Sequence, residues 1–330
     1  MKDGAVQPLP EPLAEGLQRL AGSLPTARLA DLTGRLIDRY QADRPAPAGA
    51  PIVAAEEQAA AYALYRMPAT FAAVRSALHQ AAAALPDFRP ERHVDLGGGT
   101  GGAVWAAAQT WPGIAEHRVI EQAPAMITVG RRLLAGADGP VGGTAWIRSL
   151  LDDALILPEA DLITISYVLG ELDPASRRTM ITKLADAGAT IAIIEPGTKA
   201  GYRRVLDARD QLITAGLRIA APCPHDLECP MADNDDWCHF AVRIGRSATH
   251  RVIKNAELSY EDEKFSYLVA TREPVAPAPA RIVRHPGYAK GQVDLTLCTV
   301  PPGIERTKIT KRAKDDYRTA RKVEWGDRWP

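Results

Sequence analysis

The stretch His93-Val94-Asp95-Leu96-Gly97-Gly98-Gly99-Thr100-Gly101-Gly102 is followed by Ala103-Val104-Trp105-Ala106-Ala107-Ala108. A short apolar run reaches an acid, breaks into glycines and enters alanine-rich sequence of good helix propensity. These signals in succession predict a strand, a tight loop and the start of a helix. Glycine serves where the chain turns with positive φ, or where backbone must approach a ligand without a Cβ in the way. The helix that follows points its positive end and its free N–H groups back at the loop.

Moving outward, Arg118-Val119-Ile120-Glu121 reads as a second strand that ends in an acid, about twenty residues beyond the loop, where ribose hydroxyls are held in nucleotide-binding sheets. A glycine run alone also suits a nicotinamide dinucleotide. The run Asp-Leu-Gly-Gly-Gly-Thr-Gly at 95–101 resembles motif I of the class I S-adenosylmethionine-dependent methyltransferases. That resemblance implies a Rossmann-like, doubly wound α/β sheet with Asp95 beside the methionine part of the cofactor. Gly97, Gly98, Gly99, Thr100 and Gly101 would form the cofactor loop, with Glu121 at the second strand.

The following sequence keeps the alternation of strand and helix that such a sheet needs. A helix is expected through Met126 to Leu134, a third strand at 144–148 and a fourth at 160–167. Near-continuous apolar sequence at 190–197 predicts a buried fifth strand, followed by a helix from Arg203 to Leu217. Asp152, or its neighbour Asp153, is a candidate for the adenine amine, with a solvated loop carboxylate as the competing reading. Tyr167 and Glu171 lie where the fourth strand ends, the edge at which such sheets place ligands. Strand-like sequence recurs at 240–244 and 264–270, the latter expected to be the last strand of the sheet, with Arg246, His250, Arg251 and Lys254 as a basic stretch between them.

The sequence divides into an N-terminal helical region (1–90), the methyltransferase-like domain (91–273, with a cysteine-rich insertion at 221–239) and a basic C-terminal extension (274–330). In the first, Leu29, Leu32, Leu36 and Tyr40 recur at helical spacing, and 45–51 reads as a linker. Helical sequence from Ala54 to Leu85 should stop or kink at Pro68. Its expected buried side is Tyr62, Tyr65, Phe71, Val74 and Leu78. In the extension, 280–284 and 292–298 suggest a hairpin around Pro286-Gly287.

The 40 Lys+Arg and 40 Asp+Glu cancel, so net charge singles out no partner. No apolar run approaches the ~20 residues that cross a bilayer, and Met1-Lys2-Asp3-Gly4 lacks the apolar core of a secretion signal. A monomer in a reducing compartment and away from membranes is expected. There, Cys223, Cys229, Cys238 and Cys298 are metal ligands or buried thiols rather than disulfides. The first three lie in a proline-punctuated loop that buries little, and a metal would order it. Four thiolates can complete a tetrahedral zinc site or an iron–sulfur cluster, and the residues alone leave the two open. His225 and His239 are alternative ligands.

A wider resemblance rests on several stretches at once. They are Arg66-Met67-Pro68-Ala69-Thr70, the Asp95 loop, Tyr167-Val168-Leu169-Gly170-Glu171-Leu172, Ile194-Glu195-Pro196-Gly197 and C-P-H-D-x-x-C-P at 223–230. Further along come Asp236-Trp237-Cys238-His239-Phe240, the Arg284-His285-Pro286 to Cys298 hairpin, Ala320-Arg321-Lys322 and Trp325-Gly326-Asp327. In these the chain resembles the methyltransferase-like assembly factors of the small ribosomal subunit, found in mitochondria and in bacteria. The resemblance implies a [4Fe–4S] cluster on Cys223, Cys229, Cys238 and Cys298, and binding to small-subunit ribosomal RNA. It implies a cytoplasmic protein in a bacterium and a mitochondrial one in a eukaryote.

Methyl transfer from a sulfonium depends on positioning and on an exposed nucleophile. Amino-methyltransferases often carry Asn/Asp-Pro-Pro-aromatic at the fourth strand, where this chain has Ser166-Tyr167-Val168-Leu169. No catalytic base can be named, and Tyr167 and Glu171 are the only candidates. Arg306, Lys308, Lys311, Arg312, Lys314, Arg318, Arg321 and Lys322 crowd together near Tyr317, Trp325 and Trp329. Cations neutralise phosphate and aromatics stack on bases, which fits RNA; Asp315, Asp316 and Glu324 fit a solvated helix face instead. Three functions follow: an rRNA methyltransferase, a non-catalytic assembly factor, or a small-molecule methyltransferase with a structural zinc.

Overall fold

The computed structural model describes residues 6–41, 53–233, 235–247, 250–252, 257–276 and 278–330. The expected linker at 45–51 and Lys254 lie outside them. Strands β1 (Arg92–Leu96), β2 (Glu116–Glu121), β3 (Ala145–Arg148), β4 (Leu162–Ser166) and β5 (Thr190–Pro196) run parallel. They are joined by α4 (Gly102–Thr110), α5 (Pro124–Leu134), the single turn α6 (Gly139–Gly142) and α7 (Pro174–Asp186). After β5 come α8 (Lys199–Thr214), β6 (Arg218–Ala221), β7 (Phe240–Gly245) and β8 (Tyr260–Thr271).

The sheet has the order β3-β2-β1-β4-β5-β8-β6, with β7 also paired to β8. Its direction of winding reverses between β1 and β4, so a crevice opens beyond their carboxyl ends. This is the Rossmann-like α/β architecture that the Asp95 loop predicts. Alternate side chains of one strand enter opposite cores: Leu162 and Ala192 pack under α3–α5, while Ile163 and Ile191 pack against α7 and α8. Burial on both faces explains why β4 and β5 are mostly apolar, with Ile191 to Ile194 as a continuous run. Strand β8 is last in chain order but sits inside the sheet, antiparallel to β5 and to β6. The short β6 has no sequence signal of its own, because four residues are too few to show a period.

Three helices precede the sheet: α1 (Glu11–Ala21), α2 (Thr26–Gln41) and α3 (Glu56–Ala84). Helix α3 does not stop at Pro68; its 29 residues run through it. Met67, Ala69, Phe71 and Ala72 on either side are fully buried. Tertiary burial of an alanine-rich face therefore outweighs the missing N–H. Phe71, Val74 and Leu78 are buried as the spacing predicts, whereas Tyr62 and Tyr65 are half-buried at the rim.

The C-terminal extension folds as a five-stranded sheet, richer than the expected hairpin. Strands β9 (Ala280–Ile282), β10 (Gly287–Ala289), β11 (Gln292–Thr299), β12 (Gly303–Thr310) and β13 (Arg328–Trp329) surround β11 and β9, with α9 (Lys314–Ala320) after β12. Val293, Leu295, Leu297 and Ile309 form one face, packed with Ala320 and Val323. Strand β12 is hard to see in the sequence because Arg306 and Lys308 occupy its solvent face. Among the described residues no helix is long and apolar enough to cross a membrane.

Candidate functional site

The Asp95 loop turns tightly over the end of β1. Gly97 has φ +63°, and a Cβ there would sit 2.6 Å from Val168. At Gly98 a Cβ would sit 2.4 Å from Asp95 Oδ2, so only glycine lets the backbone lie on the carboxylate. Glu121 ends β2 and accepts the Gly99 N–H (3.0 Å) and the Ala123 N–H (2.8 Å), which fixes the loop from the neighbouring strand. Burial raises the Glu121 pKa, and those amides work against the rise. Thr100 is buried with its hydroxyl on Met67 Sδ. Tyr62, Met126, Leu151 and Val168 surround the loop as an apolar collar.

Behind Asp95 runs a buried polar chain with a defined direction. Thr164 Oγ1 donates to Asp95 Oδ1 at 2.7 Å, so His93 Nε2, 2.9 Å from Thr164 Oγ1, must donate to that hydroxyl. His93 Nδ1 then accepts, and His117 Nδ1 donates across 3.0 Å. Burial, with Glu121 adding to it, raises the Asp95 pKa to about 7 despite the Thr164 bond. Burial holds His93 neutral and brings His117 to about 4. Asp95 Oδ2 is buried without a hydrogen-bond partner. His93 and His117 escape a sequence reading because a lone histidine in an apolar strand carries no pattern; His93 does lie two residues before Asp95, on the same face.

On the acceptor side, Tyr167 holds φ +62°, the one non-glycine residue with positive φ among those described. Its hydroxyl donates to Glu263 Oε1 at 2.8 Å, and Glu263 also pairs with Arg66 at 3.0 Å. The Arg66 guanidinium lies 4.9 Å from the Tyr167 ring centroid. Burial opposes the Arg66 charge, but the Glu263 carboxylate outweighs it and raises the pKa. Burial, then Glu263, takes the Tyr167 phenol well above its ordinary range, so it is held as a donor. Glu171 is exposed, and so is Asp152, whose Oδ1 accepts the Ala154 N–H of its own turn (3.0 Å). Of the two catalytic candidates Tyr167 is the more enclosed.

All four cysteines line one cavity of about 40 Å³, together with Tyr202, Arg209, His225, Tyr267 and Arg281. A single water needs roughly 10–15 Å³ by this measure, so the space suits a polyatomic group. Cys223 follows β6, Cys229 lies in the loop that leads to β7, Cys238 comes just before β7, and Cys298 comes from β11 of the extension. Tyr202 Oη lies 3.4 Å from Cys229 Sγ, and His225 Nε2 3.9 Å from Cys298 Sγ. His239 turns away and bonds the Trp237 carbonyl. Burial, reinforced by the other sulfurs, pushes Cys298 up to about 12 and Cys238 well above a free thiol. Among the described residues no group of three or more His, Cys, Asp and Glu side chains is close enough to grip one metal ion. Arg209 Nε and Tyr267 Oη are buried donors without partners beside the cavity. A donor-rich wall around four thiols fits an anionic, sulfur-rich group.

A family model described as mitochondrial small ribosomal subunit Rsm22 matches residues 56–330. The chain belongs to the Rsm22 family. The human mitochondrial ribosome assembly protein METTL17 is 29% identical over 289 residues, covering 82% of this chain and 62% of its own length. The Rsm22-cox11 tandem protein 2 of Schizosaccharomyces pombe is 24% identical over 195 residues, 46% of this chain and 26% of its own. Among solved structures, the magnesium protoporphyrin IX methyltransferase of Synechocystis with bound S-adenosylmethionine is 16% identical, with a TM-score of 0.42. It covers 72% of this chain and 91% of that one.

In this Rsm22-family chain, Arg306, Lys308, Lys311, Arg312, Lys314, Arg318, Arg321 and Lys322 are all exposed. They divide between β12, the following turn, α9 and the turn after it. Lys308 sits opposite Asp294 of β11, Arg318 pairs with Asp315 at 3.2 Å, and Arg321 lies 6.0 Å from the Tyr317 ring centroid. Cys298, Arg306 and Lys308 share one face of the extension sheet, since Cys298 pairs with Ile304 and side chains alternate. Arg246 of the other basic stretch is neutralised by Glu261 at 2.7 Å.

Proposed function

We propose that this protein is a small-ribosomal-subunit assembly factor. In this reading it binds S-adenosylmethionine at the Asp95 loop, holds an iron–sulfur centre on four cysteines and meets ribosomal RNA through its basic extension. One observation carries it: Cys298, sixty residues beyond Cys238, lines the same cavity as the other three cysteines. That convergence joins the extension to the cofactor-binding sheet. Cys223, Cys229, Cys238 and Cys298 would hold a [4Fe–4S] cluster, which supplies a rigid four-point tie. Gly97–Gly101 would follow the methionine part of S-adenosylmethionine. Asp95 would face its cation, Glu121 its ribose, and Met126 and Leu151 would close the apolar side.

Turnover has weaker support than binding. The Tyr167 hydroxyl is already committed to Glu263, and Ser166-Tyr167-Val168-Leu169 stands where amino-methyltransferases often carry Asn/Asp-Pro-Pro-aromatic. The exposed cations of β12 and α9, beside Tyr317, suit phosphate and stacked bases. The compartment follows the host: cytoplasm in a bacterium, mitochondrion in a eukaryote.

The test uses anaerobically purified full-length protein and its Cys229→Ser variant. The parent is expected to contain iron and acid-labile sulfide and to co-sediment with immature small subunits, while the variant loses both. Zinc in place of iron would remove the cluster, and ribosome association unchanged in a metal-free variant would remove its structural role. Labelled methyl groups appearing on small-subunit RNA, and lost in Glu263→Gln, would restore the catalytic reading.

A further inference from the structure

Of two buried arginines beside the four cysteines, Arg281 has no anion within reach and Arg209 has only the solvent-exposed Asp210. Arg281 on β9 is 1% exposed and heads the fully buried side chains by volume. Its Nε donates to the Pro222 carbonyl (2.6 Å) and its Nη1 to Gln80 Oε1 (2.5 Å) and the Gly326 carbonyl (2.9 Å). All three partners are neutral, and among the described residues no carboxylate lies within ion-pair distance of it. Arg209 on α8 is equally deep. Its Nη2 binds the His225 and Leu227 carbonyls, its Nη1 reaches the solvent-exposed Asp210, and its Nε has no partner. Both arginines line the cavity. Four protonated thiols would leave the buried Arg281 guanidinium with no counter-charge and Arg209 with only Asp210 at the surface, an arrangement that proteins avoid. Four thiolates around Zn²⁺ or a [4Fe–4S]²⁺ core carry a net charge of about −2, which matches two guanidiniums.

The two arginines also differ in where they stand. Arg209 belongs to the main sheet's own helix. Arg281 belongs to the extension, is the cross-strand partner of Cys298, and reaches α3 through Gln80 and the following tail through Gly326. It therefore spans the seam between extension and sheet at the point where the fourth sulfur enters.

We propose that Arg209 and Arg281 are the counter-ions of an anionic four-thiolate centre in this cavity, and that Arg281 makes docking of the extension conditional on that centre being present. This rests on the reading of the four cysteines given above. With the centre in place, Arg281 is paired and the seam is closed. Without it, an unpaired buried charge pushes the extension away from the sheet, so the centre governs how the basic face is presented.

The proposal requires opposite effects on the loaded and stripped protein, which a purely structural arginine would not give. Full-length protein is purified anaerobically, its iron, sulfide and zinc are counted, and Arg281→Gln and Arg209→Gln are compared with it. Loss of metal to a chelator is expected to be at least roughly tenfold faster in either variant. The metal-stripped variants are expected to melt at or above the stripped parent, because an uncompensated charge has gone. Unchanged metal loss, with loaded and stripped forms destabilised alike, would overturn the counter-ion role. A parent that holds neither iron nor zinc would instead overturn the cysteine reading beneath it. Arg209→Gln carries the same comparison if Arg281→Gln fails to fold.

Discussion

Replacing Asp95 by Asn isolates the most perturbed carboxylate of the glycine-loop site. Asp95 has no exposed surface, and burial raises its pKa from the ordinary 3.8 to about 7. Between those two values the unfolded chain has released a proton that the folded chain retains. Folding stability therefore falls as pH rises from about 4 to 7, and levels off above that. At 1.36 kcal/mol per pH unit, about three units amount to roughly 4 kcal/mol. Asn keeps the Oδ1 that accepts the Thr164 hydroxyl and is neutral throughout, so it removes this loss. Urea denaturation of parent and Asp95→Asn from pH 5 to 8 should give curves that separate steadily up to pH 7. The variant should be the more stable by up to roughly 4 kcal/mol at pH 8. Parallel curves, or a variant less stable at pH 8, would refute the idea that a carboxylate is held against its solvation at the end of β1.

The same acid should make S-adenosylmethionine binding depend on pH. The cation needs the ionised form, so affinity measured by calorimetry should fall about tenfold per pH unit below 7 and be flat above it. Gly98→Ala forces a methyl to within 2.4 Å of Asp95 Oδ2 and should cost about 1–3 kcal/mol in thermal unfolding together with cofactor binding. Glu263→Gln leaves the half-buried Arg66 beside Tyr167 without its anion and should cost about 1–3 kcal/mol, read by denaturant unfolding. Alanine at Lys308 and at Lys311 should each reduce the slope of log K against log salt for RNA binding by about 0.7–0.9, measured by filter retention.

The parallel core of the sheet is legible because β4 and β5 are buried on both faces and are rich in Ile, Leu and Ala. The Asp95 loop is legible because glycine is required there by backbone geometry. What escapes the sequence depends on partners far along the chain. Pro68 lies inside a helix whose neighbours bury it, and β8 slips between β5 and β6. Strand β12 hides under its own charges. The site shows the same division. Asp95 and Glu121 end strands and can be named at once. His93, Thr164 and His117 are connected only by the registry of β1 with its two neighbours. Arg66 and Glu263 meet across 197 residues. Asp152 is exposed, and the sequence does not show that its Oδ1 accepts the Ala154 N–H of its own turn.

Three of the sulfurs around the cavity are present once β7 has formed, whereas Cys298 arrives only after β8, β9 and most of β11. A nascent chain on its way out of the ribosome therefore offers an unfinished set of thiols for much of its synthesis. Completing that set requires the extension to have been made and brought back to the sheet. A chain cut short before residue 298 would retain the glycine loop in full but could never close the cavity, so filling it would distinguish finished molecules from fragments.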